Sequence, residues 1–175
     1  MVTNAAAVRL EGWTEGDLAL LRAANAPELM QHLGGPETEE RLLARHRRYV
    51  ALSADRTGPG RVYRVVTADT GEDAGTVTYW ETDEWGEPAY EIGWGVLPAF
   101  QGRGIATAAA LAVIAEARAR QGGRRYLHAC PKTSNEASNR VCAKAGFTLL
   151  GAFDTEYPEG NPIRANNWRF DLSAP

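Results

Sequence analysis

Between Tyr90 and Thr107 the chain reads Tyr-Glu-Ile-Gly-Trp-Gly-Val-Leu-Pro-Ala-Phe-Gln-Gly-Arg-Gly-Ile-Ala-Thr. This spacing predicts a strand, Tyr90 to Val96, running through a glycine loop into a helix. Gly102 and Gly104 allow backbone conformations and close ligand approaches that other residues resist. The first helical turn, Ile105, Ala106 and Thr107, offers unpaired N–H groups and the positive end of the helix dipole. With Gln101 and the fixed charge of Arg103, the stretch is suited to an anion such as a pyrophosphate. Gly-x-Gly by itself describes a tight strand-to-helix turn equally well. A triphosphate-binding loop needs Gly-x-x-x-x-Gly-Lys-Ser/Thr, which is absent. A dinucleotide fingerprint needs a third glycine at position 107, where this chain has threonine.

Alternate residues of a strand share a face. Glu91, Gly93 and Gly95 fall on one face, and Tyr90, Ile92, Trp94 and Val96 on the other. The glycines strip side chains from the first face, either for a ligand lying against backbone or to make room for an aromatic such as Trp80. Burial of Glu91 there would raise its pKa toward neutrality, as a general base requires. The same glutamate also reads as a structural carboxylate bonded to a neighbouring loop. Glu156 and Tyr157 are weaker base candidates. A second cluster, Asn135-Glu136-Ala137-Ser138-Asn139-Arg140, opens a helix. Positions 135, 138 and 142 fall on one face of it, and Ala137, Val141 and Ala145 form an apolar stripe expected toward the core. Asn135 suits a helix N-cap.

The elements positioning these residues follow from periodicity and turn chemistry. Strands are expected at Val8–Leu10, Arg61–Thr67, Gly75–Trp80, Tyr90–Val96, Arg125–Cys130, Phe147–Phe153 and Asn167–Leu172. Helices are expected from Thr14 to about Ala24, over Glu37–Leu52, from Gly104 to Arg120 with Ile105, Leu111, Ile114 and Ala115 on its apolar face, and over Asn135–Ala145 with Gly146 as C-cap. The fold class is mixed α/β (α+β) rather than a regular doubly wound sheet, in one domain spanning residues 1–175.

Composition excludes several classes. Nineteen Lys+Arg against 22 Asp+Glu give a net charge of −3, which argues against a nucleic-acid binder. The longest mostly apolar run, Ala106 to Ala115, is too short to span a membrane. No basic stretch followed by an apolar run marks a signal peptide, so a cytoplasmic protein is expected. Cys130 and Cys142 make no disulfide framework, and His32, His46 and His128 have no metal-ligand spacing. Charge is uneven: residues 69–91 hold eight acids and no Lys or Arg, while residues 102–144 hold eight bases and two acids.

Gln101-Gly102-Arg103-Gly104-Ile105-Ala106 fits Q/R-x-x-G-x-G/A and resembles the coenzyme A pyrophosphate loop of the GNAT superfamily of acetyl-CoA-dependent N-acetyltransferases. The Glu-Ile-Gly strand, the Gly-Ile-Ala-Thr helix start, and the Asn135–Arg140 run leading into Ala145-Gly146-Phe147 agree with it. Trp13, Gly34-Gly35-Pro36 and Trp168 resemble the branch containing the ribosomal-protein N-terminal acetyltransferases. The resemblance covers nearly the whole chain. It implies a mostly antiparallel sheet of six to seven strands, splayed in the middle and flanked by about four helices. It further implies a pantetheine arm held by backbone near Gly95, Val96 and Leu97, a cofactor contact from Asn135, and Glu91 as base. Many members carry a tyrosine acid four residues before Gly-Phe, where this chain has Cys142. Ser138 resembles the serine proposed instead in the ribosomal branch. The implied reaction is transfer of acetyl from acetyl-CoA to a primary amine, of a protein N-terminus or a small molecule, by direct attack without metal. Homodimers are common in the family. The competing reading is a non-catalytic coenzyme A-binding or protein-interaction module on the same fold.

Overall fold

The computed structural model describes residues 7–120 and 122–175. Seven strands form one open sheet in the order β1-β2-β3-β4-β5-β7-β6. In chain order they are β1 (Val8–Gly12), β2 (Gly60–Thr67), β3 (Asp73–Thr82), β4 (Ala89–Val96), β5 (Tyr126–Ala129), β6 (Thr148–Glu156) and β7 (Pro162–Asp171). Five α-helices accompany them among the described residues: α1 (Leu18–Ala24), α2 (Pro27–Met30), α3 (Glu39–Ala54), α4 (Ile105–Arg120) and α5 (Glu136–Lys144). Every pairing is antiparallel except β4 with β5. This is the mixed α/β architecture expected.

Local signals explain most boundaries. Asp17 accepts from the Thr14 backbone N–H at 2.7 Å, fixing the turn that leads into α1. Thr38, rather than Glu37, caps α3 through its side chain, so the helix starts two residues later than expected. The short α2, begun by Pro27, escapes periodicity because four residues carry no helical repeat. α5 ends in a Schellman motif: the Phe147 N–H donates to Cys142 C=O at 3.0 Å and the Gly146 N–H to Ala143 C=O at 3.2 Å. Gly146 takes φ +90° there, one position beyond the C-cap residue Ala145. The last hairpin is longer than expected. β7 begins at Pro162 rather than Asn167 because polar residues such as Arg164 and Asn166 pair along it without alternating hydropathy.

The main core lies between the central strands and helices α4 and α5. Val77, Tyr79, Tyr90, Ile92 and Leu127 meet Ala109, Ala110, Val113, Ile114 and Ala117 of α4. The sheet takes that stripe of α4, and it leaves Leu111 and Ala115, expected on the apolar face, exposed. Tyr63 of β2 and Tyr79 of β3 both donate to Glu116 Oε1 of α4, at 2.6 and 2.8 Å. Two strands are thereby tied to one helical carboxylate. A smaller cluster around Trp13, Leu21, Leu42 and Val62 packs α1 and α3 on the sheet near β2.

β3 holds β4 in continuous register, from Gly75↔Val96 to Thr82↔Ala89. At Gly75 the strands come so close that a Cβ would overlap the Gly95 carbonyl oxygen and crowd the Val96 backbone. Gly75→Ala should therefore push β4 away from β3 where it enters the glycine loop. The expected cost is about 2–3 kcal/mol in denaturant unfolding, against a near-neutral Gly71→Asn in the open β2–β3 turn.

Candidate active site

The pairing of β4 with β5 lasts four residues, from Ala89↔Tyr126 to Ile92↔Ala129. Beyond Ile92, β4 continues with β3 as its only strand partner among the described residues. The strands part, and a cleft of about 1120 Å³ opens between them. The N–H and C=O of one strand residue point to the same edge, and successive residues alternate edges. The Leu97 N–H donates back to Ala74 C=O of β3 at 2.8 Å, so by alternation the Val96 peptide groups face the cleft side. The Val96 carbonyl accepts from Gln101 Nε2 at 3.0 Å, which fastens the loop to the strand that feeds it.

By element, the lining divides in two. One part comprises Gln101, Gly102 and Gly104, the first turn of α4 (Ile105, Ala106, Thr107) and residues of α5 and its approach. Gly102 and Gly104 take φ of +73° and +78°, conformations that L side chains resist. Helical bonding begins with Ala108 N–H to Gly104 C=O, which leaves the N–H groups of the first turn without a helical partner. Lys132, Arg140 and Lys144 add positive charge along this part. These groups fit an extended polyanion. Arg103 is not among the lining residues; its guanidinium lies 3.9 Å from Asp69 and over the Phe100 ring. Leu97 is likewise absent from the lining and packs against the smaller core cluster.

α5 sits differently from its hydropathy. Asn135 caps it, its Oδ1 accepting from the Ser138 N–H at 3.2 Å, and both residues line the cleft. Of the expected apolar stripe, Ala145 is buried and Val141 packs against the core while also lining the cleft, whereas Ala137 is exposed in the cleft wall. The buried positions are Cys142 and Ala145, and Cys142 does not share the cleft face of Asn135 and Ser138. The core claims 142 and 145 because the helix turns that side to Phe147 and β5. Burial pushes the Cys142 thiol up to about 12, which removes it as a nucleophile or acid for the cleft.

The other part of the lining carries Glu91, with Trp80, Glu84 and Trp85 from β3 and the β3–β4 loop, Glu28 from α2, and Phe153, Glu156 and Tyr157 from the last hairpin. The two glycines serve both readings of their face: each lines the cleft, and the Trp80 ring lies 3.9 Å from a Cβ built on Gly93. Glu91 sits in register between Trp80 of β3 and His128 of β5. Burial raises its pKa to about 7, and the like charge of Glu84 adds to the rise. The Trp85 indole offsets a little of it. His128 gives Nδ1···Asn167 Oδ1 at 2.7 Å and stacks on Trp85 with ring centres 4.6 Å apart. Burial lowers the His128 pKa despite the Asn167 contact. Sequence reasoning missed the Trp85–His128 pair, because only the parallel register of β4 and β5 puts His128 beside Glu91.

Comparison with known proteins is consistent with this geometry. A family model described as the acetyltransferase (GNAT) domain matches residues 7–148. No curated protein matches the sequence. Among solved structures, a GNAT-family acetyltransferase from Bacillus anthracis superposes with a TM-score of 0.76 at 20% identity, covering 98% of both chains. An acetyltransferase from Salmonella typhimurium that modifies the N-terminal serine of ribosomal protein L7/L12 gives 0.77 at 24% identity, covering 97% of this chain and 96% of that one. Spermidine N-acetyltransferase from Vibrio cholerae, with coenzyme A and spermine, gives 0.74 at 15% identity, covering 95% and 96%.

A carboxyl that keeps its proton to about pH 7 when folded, but to about 4.5 when unfolded, favours the fold at acid pH. That contribution is complete below pH 4.5 and is lost as pH rises through 7. Relative to the native chain, Glu91→Gln should therefore gain stability across this window, by up to about 3 kcal/mol. Denaturant midpoints at pH 4.5 and pH 8 check this; a pH-independent difference would contradict it.

Proposed function

The chain belongs to the GNAT acetyltransferase family, and from that premise we propose that it transfers acetyl from acetyl-CoA to a primary amine by direct attack. The observation that carries this reading is the joining of three features in one cleft: a glycine cradle with free N–H groups, a half-paired β4, and a buried carboxylate near neutrality. Bound acetyl-CoA would supply the thioester carbonyl and a thiolate leaving group. Gly102, Gly104 and the first-turn N–H groups of Ile105, Ala106 and Thr107 would receive the pyrophosphate. Gln101 holds that loop in place, and Arg103 acts at longer range because it is turned to Asp69. The Val96 N–H would hydrogen-bond the pantetheine arm or the acetyl carbonyl, in the manner of an oxyanion donor, while Gly95 keeps the approach open.

An alkylamine with pKa of about 10 arrives protonated at pH 7. Glu91 is suited to accept that proton, directly or through one water, because its pKa lies near the working pH. Ser138 would donate a hydrogen bond to the departing sulfur. A thiol with pKa of about 8.5 needs stabilisation more than full protonation. Asn135 orients the helix that carries Ser138. The acceptor would approach between aromatic walls (Trp80, Trp85, Phe153, Tyr157) among carboxylates (Glu28, Glu84, Glu156). An amine with an apolar body fits this lining, whether a protein N-terminus, as in the Salmonella enzyme, or a small polyamine, as in the Vibrio enzyme.

A second reading has one observation in its favour. The α5 position at which many relatives carry a tyrosine acid holds the buried Cys142. A coenzyme A-binding module without turnover would show binding but no thiol release across a panel of amines.

Gly104→Glu should abolish acetyl-CoA binding, since the substitution forces a side chain into a left-handed position and sets a carboxylate at the anion site. Unchanged affinity by calorimetry would overturn the loop assignment. Glu91→Gln should lower kcat/KM by about 10²- to 10⁴-fold and remove the acidic limb centred near pH 7. A retained limb would take Glu91 out of the mechanism.

A further inference from the structure

We propose that Trp85 is a positioning residue: delivered by the β3–β4 loop and seated flat on the His128 ring, it closes over Glu91 and keeps water from its carboxylate. Its mechanistic consequence rests on the acetyl-transfer reading, but its physical content does not.

The geometry carries the inference. His128 is the β5 partner of Glu91, so the two side chains project to the same face of the sheet. Trp85 stacks on that imidazole at 4.6 Å with the planes 9° apart, and Phe153 of β6 meets the indole edge-on at 5.4 Å. His128 is itself fixed by Asn167 of β7 at 2.7 Å. Strands β5, β6 and β7, all on the β5 side of the junction, thus brace one loop residue beside the carboxylate of β4. The indole N–H is buried without a partner of strict hydrogen-bond geometry, and it faces Glu91 closely enough to favour that carboxylate's charged form. Burial nevertheless outweighs that interaction at Glu91, so the ring acts mainly as a cover.

The charged and titratable groups facing Glu91 are three: Glu84 on the β3–β4 loop, His128 on β5, and Cys130 just beyond it. Glu87 and Arg169 act on His128. Glu91 itself forms no ion pair among the described residues, so its raised pKa has two available causes: burial, which is the larger, and the charge of Glu84. Trp85→Ala removes the cover, and Glu84→Gln removes the neighbouring charge while leaving the ring in place.

The test is direct titration of Glu91 by carbon NMR of glutamate-labelled protein, with Glu91→Gln assigning the resonance. This readout needs no turnover. The native midpoint near pH 7 should fall by about one pH unit or more in Trp85→Ala. In Trp85→Phe, which keeps a stacked ring and loses the N–H, it should stay or rise, and in Glu84→Gln it should fall by less than in Trp85→Ala. Heat denaturation and circular dichroism establish that each variant folds; if Trp85→Ala does not, His128→Leu, which removes the imidazole platform, must produce the same downward movement. An unmoved Glu91 midpoint in the variant that removes the cover overturns the proposal, as does a Glu84→Gln shift equal to that of Trp85→Ala. The acidic limb of kcat/KM separates the two readings. If the NMR midpoint moves and the limb does not, Trp85 still covers Glu91, and it is the assignment of Glu91 as base that fails.

Discussion

The site depends on β4 losing one of its two neighbours halfway along its length. An interior strand is normally bonded on both edges, and exposed peptide groups within a sheet are a liability unless something covers them. Here the parallel β4–β5 pairing stops at Ile92, while β3 holds β4 through to Val96 and its backbone reaches Leu97 through Ala74. β4 stays straight because β3 secures it, with Gly75 allowing contact too close for any side chain. β5 is drawn away because β7 pairs with all four of its residues and because the chain then enters α5. Asn139 anchors that entry: its Nδ2 donates to the Lys132 and Asn135 carbonyls, and its Oδ1 accepts from Asn166 Nδ2 and Trp168 Nε1. One fully satisfied side chain thus holds the α5 side of the gap to β7.

This constraint also sorts the charges. The acid-rich and base-rich segments neutralise each other in part across the fold. Glu81 meets Arg120 and Arg124, Asp83 meets Arg124, and Asp69 meets Arg103. Such partly exposed pairs contribute little individually, and those bases serve the sheet rather than a ligand. What remains at the cleft is smaller and better separated: Lys132, Arg140 and Lys144 with the glycine cradle, and Glu84 and Glu91 with the aromatics. The asymmetry along the chain therefore reaches the site in reduced form.

Much of this was legible in the sequence. The strand, glycine loop and helix between Tyr90 and Thr107 stand out because glycine spacing and hydrophobic period are local properties. So do the Schellman end at Gly146 and the cap at Asn135. What escaped depends on contacts between distant segments. The period of α5 predicts 137/141/145 as its core side, but packing shifts that side toward 141/142/145, burying Cys142 and leaving Ala137 at the cleft. Leu111 looks like core by hydropathy, but α4 presents Ala109, Ala110 and Val113 to the sheet instead. Arg103 looks like an anion ligand by position, yet Asp69, more than thirty residues earlier, claims it.

Glu91 shows why a site of this kind is costly to the fold and still compatible with it. A carboxylate without a cationic partner, set between tryptophan and histidine, disfavours its own ionised form. Pairing it with an arginine would remove that penalty and lower its pKa, but it would then make a poor base at neutral pH. The fold keeps the penalty at one residue and offsets it nearby. Tyr63 and Tyr79 satisfy Glu116 on the α4 face of the sheet, and the Arg120 guanidinium covers the Tyr79 and Tyr90 rings. The Glu116 carboxylate is thus matched away from the cleft, while Glu91, at the cleft, has no cationic partner among the described residues. A carboxylate held near neutrality, set where a strand lacks its neighbour, is the kind of perturbed group that marks a surface completed by ligands.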